Sequence, residues 1–172
     1  DSELLFVGDG GITEPSRATR RHGVELGAYW TPLEAVILDA DYSWSHARFT
    51  EYDPAGDYIP GAVETVVSVG LSVQRDTGWF GGARWRYFGP APLIEDNSVR
   101  SHSTSTVNAQ AGYRFSPRLS VMASVFNLFD ADANDISYFY ESQLPNESQP
   151  VADIHFHPAE PRTLRVAATV RF

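Results

Sequence analysis

The chain has 172 residues, a length that fits one domain, and its formal net charge is −9 at neutral pH. An acidic balance of this size argues against nucleic acid as a partner. No stretch approaches the roughly 18 consecutive apolar residues of a membrane-spanning helix. Cysteine is absent, which excludes disulfide bonds and thiolate metal sites.

The N-terminus has the sequence Asp-Ser-Glu-Leu-Leu-Phe, which contains neither the basic region nor the apolar region of a secretion signal. Either a signal has been removed or the chain is a piece of a longer protein. Because residue 1 lies almost on a predicted strand, we expect the second. The glycine-rich segment 8–15 is a predicted loop. It lacks the lysine and the following helix of a phosphate-binding loop, so no nucleotide site is predicted.

Eight segments alternate between apolar and polar side chains, which is the pattern of strands with one apolar and one polar face. The predicted strands are residues 2–7, 22–30, 35–49, 63–74, 79–88, 103–115, 119–129 and 163–172. All 11 prolines fall in the predicted connections, as a paired sheet requires. In the seventh strand the alternation changes phase at 126–128, which predicts a β-bulge.

Charged residues well inside the predicted strands all fall on the polar face. They are Glu25, Asp39, Asp41, Arg84, Arg86, Arg114 and Arg165. The connections alternate in length, with short turns at 31–32, 75–78 and 116–118 and long loops at 8–18, 50–62, 89–102 and 129–162. Short turns on one side and long loops on the other are typical of an outer-membrane barrel. The sequence therefore predicts an all-β, antiparallel transmembrane β-barrel whose polar face lines the lumen.

Two rows of aromatic residues lie on the apolar face, as expected of the girdles at the two membrane interfaces. Those predicted for the periplasmic girdle are Trp30, Trp79, Phe115 and Phe172. Those that approach the outer girdle are Tyr42, Trp44, Trp85 and Tyr87.

The C-terminal part of the chain combines several features. Asn127-Leu-Phe-Asp130 follows a strand, a long loop comes next, and the last ten residues alternate strictly and end on Phe172. Together with segments 134–141 and 158–162, this resembles the C-terminal end of TonB-dependent outer-membrane receptors. The resemblance is strongest over about residues 111–172.

The resemblance implies a fold and a set of partners. The family's fold is a 22-stranded barrel closed by an N-terminal plug, and the TonB complex drives transport through that plug with the proton-motive force. Residues 1–172 would be the C-terminal part of the barrel, about eight strands, without the plug. The implied location is the outer membrane of a Gram-negative bacterium. The implied partners are outer-membrane lipid, the barrel-assembly machinery through the Phe172 strand, the TonB complex through the plug, and a small-molecule or metal-chelate substrate such as a ferric siderophore.

Candidate substrate-binding residues lie in the lumen and in the longest loop. They are Arg84, Arg86, Tyr138, Tyr140, His155 and His157. The lumenal arginines could attract an anionic substrate or contact the plug, or they could pair with lumenal acids such as Asp39, Asp41 and Glu25. The two histidines share a face and could bind a metal. The sequence fixes no third ligand, so neither a metal site nor a cofactor is predicted.

Two segments of the C-terminal part are predicted to be structural. Residues 127–130 are predicted to form a turn that satisfies its own backbone, and Tyr138–Tyr140 a short strand extension. No nucleophile elbow or other catalytic context surrounds the Ser, His and Asp residues, so the sequence does not indicate an enzyme.

Two alternative folds use the same strands. A free-standing eight-stranded outer-membrane barrel would have a structural or adhesive role. Its narrow interior would be poorly filled by the many Gly and Ser residues of the polar face. A soluble ligand-binding barrel would expose Trp30, Trp79, Trp85 and Phe172 to water, which would favour aggregation.

Overall fold

The computed structural model describes residues 2–7 and 12–172 of the chain. Ten strands account for its regular structure. They are β1 (Ser2–Val7), β2 (Ile12–Leu33), β3 (Val36–Phe49), β4 (Thr65–Val73), β5 (Gly78–Phe88), β6 (Thr104–Ser116), β7 (Leu119–Phe126), β8 (Asn134–Ser142), β9 (Val151–Pro158) and β10 (Thr163–Val170). Within this described part, no helix is long and apolar enough to cross a membrane.

Eight of the strands form one antiparallel sheet in the order β1-β2-β3-β4-β5-β6-β7-β10. The prediction of an all-β, antiparallel fold with eight wall strands is confirmed. β1 and β10 lie at opposite ends of this sheet and do not pair with each other in the described chain, so the barrel is not closed. β8 and β9 form a separate two-stranded sheet inside the longest connection.

The second strand is much longer than its alternation predicts. β2 includes Pro15 and Pro32, and Pro158 is the last residue of β9, so the prediction that every proline lies in a connection is wrong. The register of β2 and β3 shifts between Trp30 and Leu33, and this irregularity accommodates Pro32. Pro15 lies where β2 pairs only with β1, so no second ladder needs its missing N–H.

The connection lengths agree with the predicted layout after one correction. The first short turn is Glu34–Ala35 rather than residues 31–32, and residues 12–18 of the predicted loop 8–18 belong to β2. Residues 8–11 lie outside the described residues. The other short turns join β4 to β5 and β6 to β7, as predicted.

Aromatic side chains are exposed near the short-turn edge of the sheet. Trp30, Trp79 and Phe115 are each about two-thirds exposed, and Phe172 follows β10. Tyr113 joins two of them, with its ring centroid 5.2 Å from that of Trp79 and 4.9 Å from that of Phe115. The role of these residues as a membrane girdle stays a prediction.

Burial is concentrated at the opposite edge, where the long connections fold against the strand ends. Ala47, Phe49 and Ile59 form a small buried cluster. The Arg17 guanidinium lies 4.1 Å from the centre of the Phe49 ring and forms an ion pair of 3.1 Å with Glu95. These contacts fix the loops at this edge relative to the wall.

Candidate functional site

Asn127 organises the turn after β7. Its side chain is buried, its φ is +47°, and its Oδ1 accepts a 2.9 Å hydrogen bond from the Ala131 backbone N–H. Its Nδ2 donates to the carbonyls of Ala131 (2.9 Å) and Glu160 (3.3 Å). Its own backbone N–H donates to Asn108 Oδ1 at 2.9 Å. The predicted strand-end turn is confirmed, and β7 ends at Phe126, so the phase change comes from this turn rather than from a bulge within the strand.

Hydrogen bonds hold both ends of the longest connection, which runs from β7 to β10. Asp130 Oδ1 accepts a 3.0 Å hydrogen bond from the Arg162 backbone N–H. Where β8 begins, the Thr104 hydroxyl donates a 2.7 Å hydrogen bond to the Asn134 carbonyl. The β8–β9 hairpin is therefore held in place at its base.

The hairpin carries the four loop residues that the sequence singles out. Tyr138 lies opposite His155 in the register, so these two share a face with Tyr140 and His157. The rings of Tyr140 and His155 stack at 3.9 Å with an interplanar angle of 14°, and Tyr138 meets His157 edge-on at 6.3 Å. Tyr138–Tyr140 thus belongs to an independent hairpin, and the predicted strand extension is wrong.

His155 Nε2 is buried and has no hydrogen-bond partner among residues 15–172. The described side chains include no group of three or more His, Cys, Asp or Glu residues that could hold a metal ion. The hairpin face therefore presents aromatic rings and imidazoles without an assembled metal site.

A cleft of about 690 Å³ lies on the polar face, beneath the base of the hairpin. Its walls come from β5, β6, the connection 89–103 and the start of β8. Arg86 supplies a guanidinium group and His102 an imidazole. Asn108, Asn134 and Asp135 supply amide and carboxylate groups. The cleft is thus suited to a polar ligand of small-molecule size.

The two arginines on the polar face of β5 have different surroundings. Arg84 Nη2 forms a 2.7 Å ion pair with Asp39 Oδ2, and its Nη1 donates a 2.7 Å hydrogen bond to the Ser68 hydroxyl. The pair crosses β4 above Gly70, the residue that lies opposite both Asp39 and Arg84 in the register. Arg86 is exposed and has no hydrogen bond or ion pair within the described part of the chain.

The remaining arginines predicted for the lumen contact other groups. Arg114 donates to the Arg75 carbonyl and lies over the Phe80 ring, while Arg165 pairs with Glu160 at 2.7 Å. Of the pairings with Asp39, Asp41 and Glu25 that the sequence allowed, the structure forms Arg84–Asp39. Arg86 therefore retains the charge that an anionic ligand would need.

One carboxyl in the loops has a shifted pKa. The Ser98 backbone N–H donates a 2.9 Å hydrogen bond to Asp96 Oδ1, and this bond, together with the Ser98 hydroxyl, lowers the pKa of the exposed carboxyl. Asp96 therefore remains ionised at neutral pH and contributes to the acidic character of the loops.

Sequence reasoning missed the residues that complete the cleft. His102 lies in a loop without periodicity, and Asn134 and Asp135 lie in a hairpin that was not predicted. Only Asn108 could have been found, because its place on the polar face of β6 follows from alternation.

An antiparallel sheet of long strands, with its loop contacts gathered at one edge, defines a segment of a large β-barrel wall. The family described as "TonB dependent receptor-like, beta-barrel" matches residues 5–128. The chain belongs to this family of receptor barrels. A search of curated proteins gave no match.

Solved structures with the same fold include several uptake receptors. The ferric yersiniabactin uptake receptor FyuA from Yersinia pestis is 21% identical, with a TM-score of 0.69 over 90% of this chain and 24% of that chain. The closed form of the ferric-catecholate import receptor Fiu from E. coli K12 is 22% identical, with a TM-score of 0.69 over 100% of this chain and 23% of that chain. The copper transporter OprC is 19% identical, with a TM-score of 0.66 over 99% of this chain and 26% of that chain. The chain spans about a quarter of each, and at these identities the likeness shows the fold alone.

Proposed function

We propose that residues 1–172 form the C-terminal part of the barrel wall of an outer-membrane receptor that takes up a scarce nutrient. The observation that carries this proposal is the open sheet, whose end strands β1 and β10 leave their outer edges unpaired in the described chain. Unpaired edges are incompatible with the hydrocarbon region of a membrane. Further barrel strands would pair with both edges, which agrees with a chain that spans about a quarter of its structural relatives.

The partners follow from this placement. Lipid would cover the apolar face, the barrel-assembly machinery would act on the C-terminal strand that ends in Phe172, and the Gram-negative outer membrane would be the location. Transport would depend on a plug domain and on the TonB complex. No residue of this chain is assigned to energy coupling.

The substrate would bind between the cleft and the hairpin. Arg86 supplies an unpaired positive charge in the cleft. Tyr138, Tyr140, His155 and His157 supply aromatic rings and imidazoles on the hairpin whose base borders the cleft. This combination suits an anionic metal chelate such as a ferric siderophore. Arg84 contributes indirectly, because its charge is already engaged by Asp39.

Uptake by the whole receptor tests the proposal. Radioactive iron would be supplied as a catecholate, hydroxamate or citrate chelate to cells that lack their own copy of the receptor and express the variant receptors. Arg86→Gln should raise the half-saturating concentration of the transported chelate by about tenfold or more, the cost of one lost charge-assisted hydrogen bond. Arg118→Gln removes the same charge from the turn between β6 and β7, and it should leave uptake unchanged.

Two outcomes would contradict the proposal. If uptake is the same with and without a functional TonB complex, the receptor is not an active transporter. If Arg86→Gln and Arg118→Gln behave alike, the cleft is not the binding site.

The free-standing eight-stranded barrel is the second candidate. It needs β1 to pair with β10, and the described chain does not form this pairing. The structure therefore favours the receptor over a small structural or adhesive barrel.

A further inference from the structure

The outer face of β2 and β3 changes character towards its long-loop edge. Val24 lies opposite Trp44 in the register. Two residues further towards the long-loop edge, His22 lies opposite His46. Since alternate residues share a face, the histidines continue the same outer row as Val24 and Trp44. The row then reaches Arg20, which is exposed.

The three aromatic rings at this edge contact one another. The ring centroids of His22 and His46 are 5.2 Å apart, those of His22 and Trp44 are 6.1 Å apart, and Trp44 stacks on His46 at 6.4 Å. Neither histidine makes a hydrogen bond or an ion pair with the described residues, and the same holds for the Arg20 side chain. The imidazole and guanidinium donors of this row are therefore available to a ligand.

The acids at this edge, Asp57 and Glu64, form ion pairs with Arg48 rather than with Arg20. Arg48, which lies opposite Arg20, contacts Glu64 at 3.5 Å and Asp57 at 4.0 Å, and its guanidinium lies 3.6 Å from the centre of the Tyr58 ring. Arg20 lies directly opposite this arginine, and like charges in such a cross-strand pair are destabilising.

We propose that Arg20, His22 and His46 bind the phosphate of an anionic lipid headgroup in the outer leaflet of the membrane. This inference rests on the proposed function, which places the outer face in lipid. The row of Arg20, His22 and His46 begins one two-residue step, about 7 Å along a strand, beyond Trp44. Since aromatic residues mark the membrane interface, the row lies at the depth of the headgroups.

The chemistry of the row fits a phosphate. Guanidinium and imidazole N–H groups form charge-assisted hydrogen bonds to phosphate oxygens. The acyl chains of the same lipid would lie along Val24 and Leu26, which are about half exposed or more. A transported substrate would approach the other face of the sheet, so the row is separate from the lumenal cleft.

Lipid binding by the whole receptor in neutral detergent tests the inference. Dioleoyl phosphatidic acid, dioleoyl phosphatidylcholine and inorganic phosphate would be titrated separately, with bound lipid counted by native mass spectrometry. The triple variant Arg20→Gln, His22→Gln, His46→Gln should bind phosphatidic acid at least about tenfold more weakly. The control Arg75→Gln, Arg118→Gln changes the short-turn edge and should retain the affinity of the wild type.

The outcomes separate this inference from the proposed function. Equal affinity of the triple variant and the wild type would overturn the inference, and so would full competition by inorganic phosphate at the concentration of the lipid. A receptor that does not fractionate with the outer membrane would instead overturn the proposed function. Correct fractionation together with unchanged phosphatidic acid binding would leave the proposed function standing and remove the lipid site alone.

Discussion

The ion pair between Asp39 and Arg84 depends on a glycine that neither of them adjoins in sequence. A Cβ atom at Gly70 would lie 2.5 Å from Asp39 Oδ1 and 2.6 Å from Arg84 Nη2, and its nearest neighbours all belong to these two side chains. We therefore predict that Gly70→Ala separates the pair without disturbing the backbone.

The size of the effect follows from the exposure of the two partners. The Arg84 and Asp39 side chains are 34% and 22% exposed, which places the pair between a surface and a buried ion pair. Its loss should cost about 1–2 kcal/mol. Alanine in place of glycine within a strand returns about 0.5–1 kcal/mol. The net effect of Gly70→Ala should be a destabilisation of at most about 1.5 kcal/mol, the difference between those two contributions.

A double-mutant cycle isolates this mechanism. In an Asp39→Ala, Arg84→Ala background the added methyl group has no pair to displace, so Gly70→Ala should stabilise the receptor by about 0.5–1 kcal/mol. The measurement is chemical unfolding of the whole receptor in detergent, followed by tryptophan fluorescence. Gly27→Ala is the matched control, because its Cβ would lie at an ordinary 3.5 Å from Asp41 Oδ1. Equal destabilisation by Gly70→Ala in both backgrounds would refute the reasoning.

Two further predictions test the facing of the wall and the turn after β7. Val69→Arg places a charge on the apolar face, at a cost of about 2–4 kcal/mol near the bilayer midplane, and should impair assembly into the outer membrane more than Ser72→Arg on the polar face. Comparable amounts of folded receptor on semi-native gels would show that the facing is wrong. Asn127→Ala removes three hydrogen bonds of a buried side chain and should destabilise the receptor by about 1–3 kcal/mol, with faster proteolysis of the β8–β9 hairpin. Asn127→Gly, which tolerates the positive φ, should show a similar loss, and restoration of wild-type stability by glycine would mean that backbone conformation alone matters.

The wall was predictable because a sheet with two different faces imprints a period of two on the sequence. Each of the eight predicted strands corresponds to a strand of the eight-stranded sheet. The extent of β2 was not predictable from composition, since Pro15 and Pro32 were interpreted as boundaries. The register shift between Trp30 and Leu33 accommodates Pro32, and Pro15 is accommodated because β2 pairs there with β1 alone. Both features depend on how the strands pair and not on the local sequence.

The loops show the limit of sequence reasoning. The β8–β9 hairpin has apolar residues on both faces, for example Tyr138 beside Phe139, so no clear alternation distinguishes it from a loop. The difference between Arg84 and Arg86 depends on the register that brings Asp39, Gly70 and Arg84 into one row. The sequence predicts the charge of Arg84 and Arg86 and the face on which they lie. Which of them pairs with Asp39 depends on the strand register, which the sequence does not give.

The mass of the intact protein in native outer membranes tests the central claim most directly. A 19.0 kDa chain whose full length matches 23% of a structural relative predicts a whole receptor of about 80 kDa. A mass in that range would support a large barrel with further strands and a plug. A mass near 19.0 kDa would mean that the eight wall strands stand alone, and it would contradict the transporter.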